Sequence, residues 1–168
     1  MVYTSYMQIR EMLAQDIEEY IECSARIWET MREHLPEEFV ERNLNWLRRE
    51  GAKEAWVNVL NNPSWVVLVA EESKSLVGVA QGHVDWGRLS HLGFLGVDRG
   101  YRRRGIGRAL LERFVEESRE LGADKISLET SPALKPAVKL YAEAGFLPEG
   151  FLRRHRLGVD MIVYSKFL

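Results

Sequence analysis

Residues 97–111 read Val97-Asp-Arg-Gly-Tyr-Arg-Arg-Arg-Gly-Ile-Gly-Arg-Ala-Leu-Leu111. An arginine- and glycine-rich turn here runs into a strongly amphipathic helix. Ile106, Leu110, Phe114 and Leu121 fall near one face, with Leu111 and Val115 widening it. Glu112, Arg113, Glu116, Glu117 and Arg119 take the outside, and Gly122 is a natural stop. A helix start offers about four unbonded N–H groups and the positive end of the dipole. Gly105 and Gly107 let an anion reach that backbone without meeting a Cβ. Arg102, Arg103, Arg104 and Arg108 add forked donors. The pattern suits a diphosphate. An exposed basic turn with a glycine-rich helix entry satisfies the same residues, so both readings stay open locally. Neither common phosphate motif fits. The chain has no Gly-x4-Gly-Lys-Ser/Thr, and Gly-x-Gly-x-x-Gly fails at its third glycine, where Leu110 stands.

Upstream, Leu89 to Val97 reads as a strand, and Gly93 and Gly96 inside it suggest a bulge or a close approach. Trp65–Ala70 and Leu76–Ala80 flank a polar turn and predict a hairpin. Residues 6–10 read as a short first strand. A helix begins near Asp16, with Ile17, Ile21, Cys23, Ser24, Ile27, Trp28 and Met31 on its spacing. A second begins near Pro36, and Asn61-Asn62-Pro63 marks a loop. Downstream, Lys125–Thr130 is a strand, Lys135–Ala144 a helix closed by Gly145, and Phe146–Arg156 and Val159–Phe167 two final strands. The expectation is one α/β (α+β) domain over residues 1–168, with about seven mostly antiparallel strands and four helices.

Composition narrows the function. The chain has 168 residues and a formal charge of −2, which argues against bulk attraction to nucleic acid. Its longest apolar run in the first half, Trp65–Ala70, is far short of the roughly 20 residues a spanning helix needs, so no membrane partner is expected. The first ten residues show no basic patch followed by an apolar stretch, so no secretory leader is expected. Cys23 is the only cysteine, which excludes an internal disulfide and a cysteine zinc site. No metal is expected, and a reducing cytoplasm is the simplest location. Charge is uneven. Glu11 to Glu50 holds eleven acids against five arginines, whereas Arg99 to Arg108 holds five arginines and no acid. Two solvated faces explain this, as does a cationic substrate docking apart from a polyanionic one.

The segment around Arg102, Gly105 and Gly107 resembles the Arg/Gln-x-x-Gly-x-Gly/Ala motif by which the GNAT superfamily of N-acetyltransferases binds acetyl-CoA. Ala137-Val-Lys-Leu-Tyr141 followed by Gly145-Phe146 is similar to a second segment of that family. The likeness spans roughly residues 6–168 and is strongest over 92–147. It implies a GNAT-like domain whose fourth and fifth strands splay around the cofactor's pantetheine arm. It also implies acetyl-CoA as co-substrate and acetyl transfer to a primary amine by direct attack in a ternary complex. Leu95, Gly96, Val97, Arg102, Arg103, Arg104, Gly105, Ile106, Gly107 and Arg108 are then the cofactor contacts. The Val97 N–H would polarise the thioester carbonyl. One departure stands out: the family often carries Asn seven residues before the tyrosine, and here that residue is Leu134.

By the same resemblance Tyr141 is the general acid near the sulfur, a phenol of pKa ~10 facing a thiol of ~8.5. A tyrosine buried on an amphipathic helix is the alternative. His91, six residues before Val97, stands where some members carry a glutamate base, and an imidazole of pKa near ~6.5 could take the amine's proton directly or through water. His83 and Asp85 are rivals for that role and, with Trp28, expected acceptor contacts. The first two helices and the last hairpin would wall the acceptor site, with aromatic side chains there able to meet a cation. The stretch Glu149-Gly150-Phe151-Leu152-Arg153, with Asp160-Met161, is similar to the tail of a branch acting on amino acids, polyamines and ribosomal-protein N-termini. The acceptor is thus a small amine or a peptide amine, and strand-edge homodimers are common among relatives. The competing class keeps the fold as a catalytically weak CoA-binding or partner-binding module.

Overall fold

Side chains on both faces of Trp65–Glu72 (β2) are buried. Val67 and Val69 join one core, and Val66, Leu68 and Ala70 join the other. That requires a sheet covered by helices on both sides. The structure, a computed structural model, describes residues 7–168; Tyr6, the first residue of the expected first strand, lies outside them. The elements are β1 (Met7–Glu11), α1 (Ile17–Thr30), α2 (Glu37–Arg48), α3 (Ala52–Leu60), β2, β3 (Ser75–Val84), β4 (Leu89–Val97), α4 (Ile106–Glu120), β5 (Lys125–Thr130), α5 (Lys135–Glu143), β6 (Leu147–Arg156) and β7 (Val159–Phe167).

The strands form one sheet in the order β1-β2-β3-β4-β5-β7-β6. Among the described strands, only β4 and β5 run parallel. Tyr20, Ile27, Val40, Leu44 and Trp56 pack α1, α2 and α3 on one face. Leu110, Leu111, Phe114 and Tyr141 pack α4 and α5 on the other. Each fully buried apolar side chain of this size contributes about 1.5–3 kcal/mol of transfer free energy. The class and strand count agree with expectation. The helices number five among the described residues, not four. The helix beyond expectation, α3, follows Gly51 at φ 76° and buries only Ala52 and Trp56. Nine residues with two buried positions carry too little periodicity to read from sequence.

The parallel pairing of β4 with β5 is short. Leu89 faces Lys125, and the last matched pair is Leu92 with Leu128. Beyond it β4 stays with β3 as far as Val97 opposite Gly78, while β5 stays with β7 as far as Thr130 opposite Ile162. The two strands therefore fork. The register between β3 and β4 shifts where Gln81 faces Phe94 and Gly82 faces Leu92. Gly93 is the extra residue, a bulge placed at the root of the fork.

Candidate functional site

Asp98 donates its N–H to Val77 O in β3 at 2.8 Å. Strand alternation then turns the amide edge of Val97 the other way, into the fork. The Val97 carbonyl accepts Arg102 Nε at 2.9 Å, as that orientation requires. Leu95 and Val97 direct their side chains toward α4. Their methyls lie 4.0 and 3.6 Å from where a Cβ on Gly107 would sit. Gly96 points to the opposite face, where an added Cβ would meet Ile27 Cγ2 at 2.5 Å. The helix α1 lying on β4 accounts for that glycine.

The start of α4 is uncapped. Gly105 precedes it at φ 81°, no side chain caps it, and the first helical bond runs from Ala109 N–H to Gly105 O at 3.0 Å. Arg103 also has positive φ, 61°. Positive φ at 103 and 105 with an ordinary residue between them shapes a concave run of N–H groups that suits an anion. Ile106 is buried in the α4 core, so only its amide is available. The arginines divide. Arg102 is held by Val97 O and, at 2.6 Å, by Thr30 Oγ1 of α1, and burial lowers its pKa. Arg104 lays two nitrogens on Glu72 at 3.0 and 2.5 Å. Arg108 reaches Glu143 of α5 at 2.9 Å. Arg103 is exposed on the turn itself.

Tyr141 sits on the buried side of α5 with its ring 5.9 Å from Phe146 and 6.3 Å from Tyr164. Burial pushes its phenol pKa up, so it holds its proton at neutral pH. His91 faces Ser127, one position before the fork. It lies opposite His83 on β3, the two rings stacking at 5.1 Å and 28°. His91 Nε2 lies 3.3 Å from Asp85 Oδ2. Asp85 Oδ1 accepts the N–H groups of Gly87 and Leu89 at 2.9 and 3.0 Å. The bond from Leu89 leads the causes that lower the Asp85 pKa. Burial, then the neighbouring His91, lowers that of His83. These three residues form one cluster at the β3–β4 turn.

Trp28 belongs elsewhere. It stacks on Phe94 at 5.2 Å and 7° and lines a cleft of about 260 Å³ between α1, α2 and β4. Tyr20, Ser24, Asn43, Trp46, Leu47, Gln81 and Gly93 complete the lining. Neither His83 nor Asp85 touches it, so the expected acceptor residues are not brought together. The expected acidic docking surface is also largely spoken for. Asp16 is held by Arg10, Glu18 by Lys53, Glu29, Glu37 and Glu41 by Arg32, and Glu33 by Arg99. Glu19 accepts Leu76 N–H at 2.7 Å. Sequence reading missed Tyr20, Asn43 and Gln81. For Tyr20 and Ser24 a signal existed, two hydroxyls four residues apart on the apolar side of α1. For Asn43 and Gln81 none did.

The model of the family described as acetyltransferase (GNAT) family matches residues 26–146. N-alpha-acetyltransferase 30 of Xenopus laevis is 34% identical over 100 residues, covering 58% of this chain and 37% of that protein. An N-alpha-acetyltransferase of Sulfurisphaera tokodaii is 30% identical over 100 residues, covering 52% of this chain and 60% of that one. The chain thus spans less than two thirds of the length of each of these relatives. The crystal structure of the PaiA N-acetyltransferase of Thermoplasma acidophilum in complex with coenzyme A shares the fold. Its TM-score is 0.80 at 20% identity, over 97% of this chain and 99% of that one.

Proposed function

The chain belongs to the acetyltransferase (GNAT) family, and on that premise we propose that it is an acetyl-CoA-dependent N-acetyltransferase acting on a primary amine. One observation carries the proposal. The uncapped start of α4, with positive φ at Arg103 and Gly105, opens beside the fork that β4 and β5 leave beyond Leu92 and Leu128. The amide run fits a diphosphate, a dianionic group that backbone N–H donors at a helix start favour. The fork fits a narrow chain leading inward from it.

Acetyl-CoA supplies a thioester whose carbonyl the amine attacks. The chain's own groups do the rest. Amides from Arg103 to Arg108 grip the diphosphate, with Arg103 as a cation on the turn that no carboxylate among the described residues engages. The Val97 N–H polarises the thioester carbonyl and holds the oxyanion. Tyr141, protonated at neutral pH as any phenol is, gives its proton to the departing sulfur; burial raises its pKa, so the donation relies on position rather than on acidity. His91 takes the amine's proton. It stands about six strand residues, roughly 20 Å of extended chain, from Val97, so the proton reaches it only along a file of several waters, not by direct contact or one bridging water.

The acceptor is an α-amine on this reading, supported by the names of the N-alpha-acetyltransferase relatives. An α-ammonium of pKa ~8 is about one-tenth neutral at pH 7, so a modest base suffices. The test is thiol release from acetyl-CoA with N-terminal peptides, amino-acid amides, polyamines and aminoglycosides. Transfer to α-amines is the expected result. Tight coenzyme A binding with no transfer to any amine would leave only a binding module.

A further inference from the structure

The cleft beside Trp28 has a lining of one chemical kind. Among the residues that form it there is no Asp, Glu, Lys, Arg or His. Tyr20 and Ser24, one helical turn apart, are 0% and 1% exposed. The Ser24 hydroxyl lies close enough to the Tyr20 phenol to lower its pKa against burial, but by distance and angle neither hydroxyl completes a hydrogen bond among the described residues. A buried hydroxyl without a partner is destabilising. Two on one wall mark a surface shaped for a polar atom brought from outside. Asn43 gives its side-chain nitrogen to Phe39 O at 2.8 Å, which leaves its carboxamide oxygen as an acceptor. Trp28 and Phe94 supply a flat apolar wall.

The position is equally informative. Gly93 and Phe94 are the first β4 residues beyond the fork root at Leu92. The cleft therefore meets β4 where the strands begin to part, on the face opposite Leu95 and Val97. Its volume of about 260 Å³ is below the ~300–1,000 Å³ that holds a drug-sized ligand, which suits one amino-acid side chain.

We infer that this cleft receives the uncharged, hydrogen-bonding side group that flanks the acceptor's amine, a phenol or carboxamide on an apolar body, and that it rejects cationic side groups. The inference rests on the acetyl-transfer reading above and narrows its acceptor class. Burying a cation here would leave it without a countercharge, because no acid lines the cleft, and Glu18 of α1 and Glu29 and Glu41 of α1 and α2 are engaged by Lys53 and Arg32. A phenol or amide instead gives the Tyr20 and Ser24 hydroxyls the partner the fold withholds.

The experiment is calorimetric titration of the coenzyme-A-saturated chain with tyrosinamide, lysinamide and spermidine, repeated on Ser24→Ala. Tyrosinamide should bind at least ~10-fold more tightly than either cationic competitor. Ser24→Ala should weaken tyrosinamide about fivefold, the worth of one neutral hydrogen bond, without lowering Tm or changing coenzyme A affinity. A Ser24 that serves only the fold would give the reverse, a lowered Tm with unchanged affinity. Equal or tighter binding of lysinamide or spermidine overturns the inference. So does unchanged tyrosinamide affinity in Ser24→Ala, or no binding of any amine by a chain that still binds coenzyme A. These three outcomes leave cofactor binding intact. A chain that binds no coenzyme A overturns the parent reading and this inference with it.

Discussion

Gly96 and Ile27 are in register across the α1–β4 interface: a Cβ on the glycine would stand 2.5 Å from Ile27 Cγ2. The glycine therefore serves the packing of α1 on the sheet. Gly96→Ala should cost about 1–3 kcal/mol from overpacking, a fall in Tm of roughly 3–10 °C for a chain of this size. Ile27→Ala should cost too, through the cavity it leaves. The double variant should lose less than the sum of the singles, because the second change removes the clash. Thermal melts of the four proteins decide it. Full stability in Gly96→Ala with lost coenzyme A affinity would instead make Gly96 a cofactor contact.

Gly105 and Gly107 should respond in opposite ways in stability and in the same way in coenzyme A affinity. Gly105 has φ 81°, a backbone conformation that costs an alanine about 1–2 kcal/mol. Gly105→Ala should lower both Tm and coenzyme A affinity. Gly107 lies in the first turn of α4, and an added Cβ would meet Val97, Leu140 and Leu95 only at ordinary contact distance, 3.6–4.0 Å. Gly107→Ala should hold or raise Tm, since alanine suits a helix better by about 0.5–1 kcal/mol. It should still weaken coenzyme A, because the methyl enters the mouth of the fork. Paired melts and titrations of the two variants separate fold from binding.

Much of this was legible in the sequence because local chemistry set it. Pro36 does precede α2, Gly105 does enter α4, and Gly122 and Gly145 do close α4 and α5. The fork followed from resemblance, and the register gives it a position at Leu92 and Leu128. What stayed hidden depends on distant pairing. The run of arginines could not announce the ion pairs of Arg104 with Glu72, 32 residues away, and of Arg108 with Glu143, 35 away, because no local pattern marks those partners. The acids between Glu11 and Glu50 suggested a cationic substrate for the same reason, since the partners of Asp16 and Glu33 are as far apart as Arg10 and Arg99. Trp28 carries the periodicity of a core residue and also lines the cleft, two roles that one spacing cannot separate.

Tyr141→Phe should reduce kcat about 10²-fold or more, the low end for a positioned acid, while coenzyme A affinity holds. Burial raises the phenol pKa above its ordinary ~10, so the neutral, proton-bearing form prevails at every working pH. The wild-type kcat profile should therefore show no limb from Tyr141 below pH ~10. Unchanged turnover in Tyr141→Phe at neutral pH removes the acid role.

Acid stability turns on Asp16. It bonds Arg10 at 2.6 and 3.1 Å and accepts Leu13 N–H at 2.8 Å. The Arg10 bond leads the causes that hold its pKa below the ordinary carboxylate range, against burial, which acts the other way. A carboxylate depressed in the fold contributes its full stability above the unfolded value of ~3.9 and loses it as pH falls through the folded value. Asp16→Asn should thus cost roughly 1–3 kcal/mol at pH 7, with the gap to wild type closing below pH ~4. Denaturant melts from pH 3 to 7 test this; a gap independent of pH would contradict it.

Titrating the wild-type chain with coenzyme A by calorimetry, beside Gly105→Ala, puts the diphosphate cradle at α4 to the most direct trial. One site per chain, with a clear heat of association that weakens at least tenfold in the variant, is the predicted result. No heat with the wild-type chain, or equal affinity in both proteins, would contradict it.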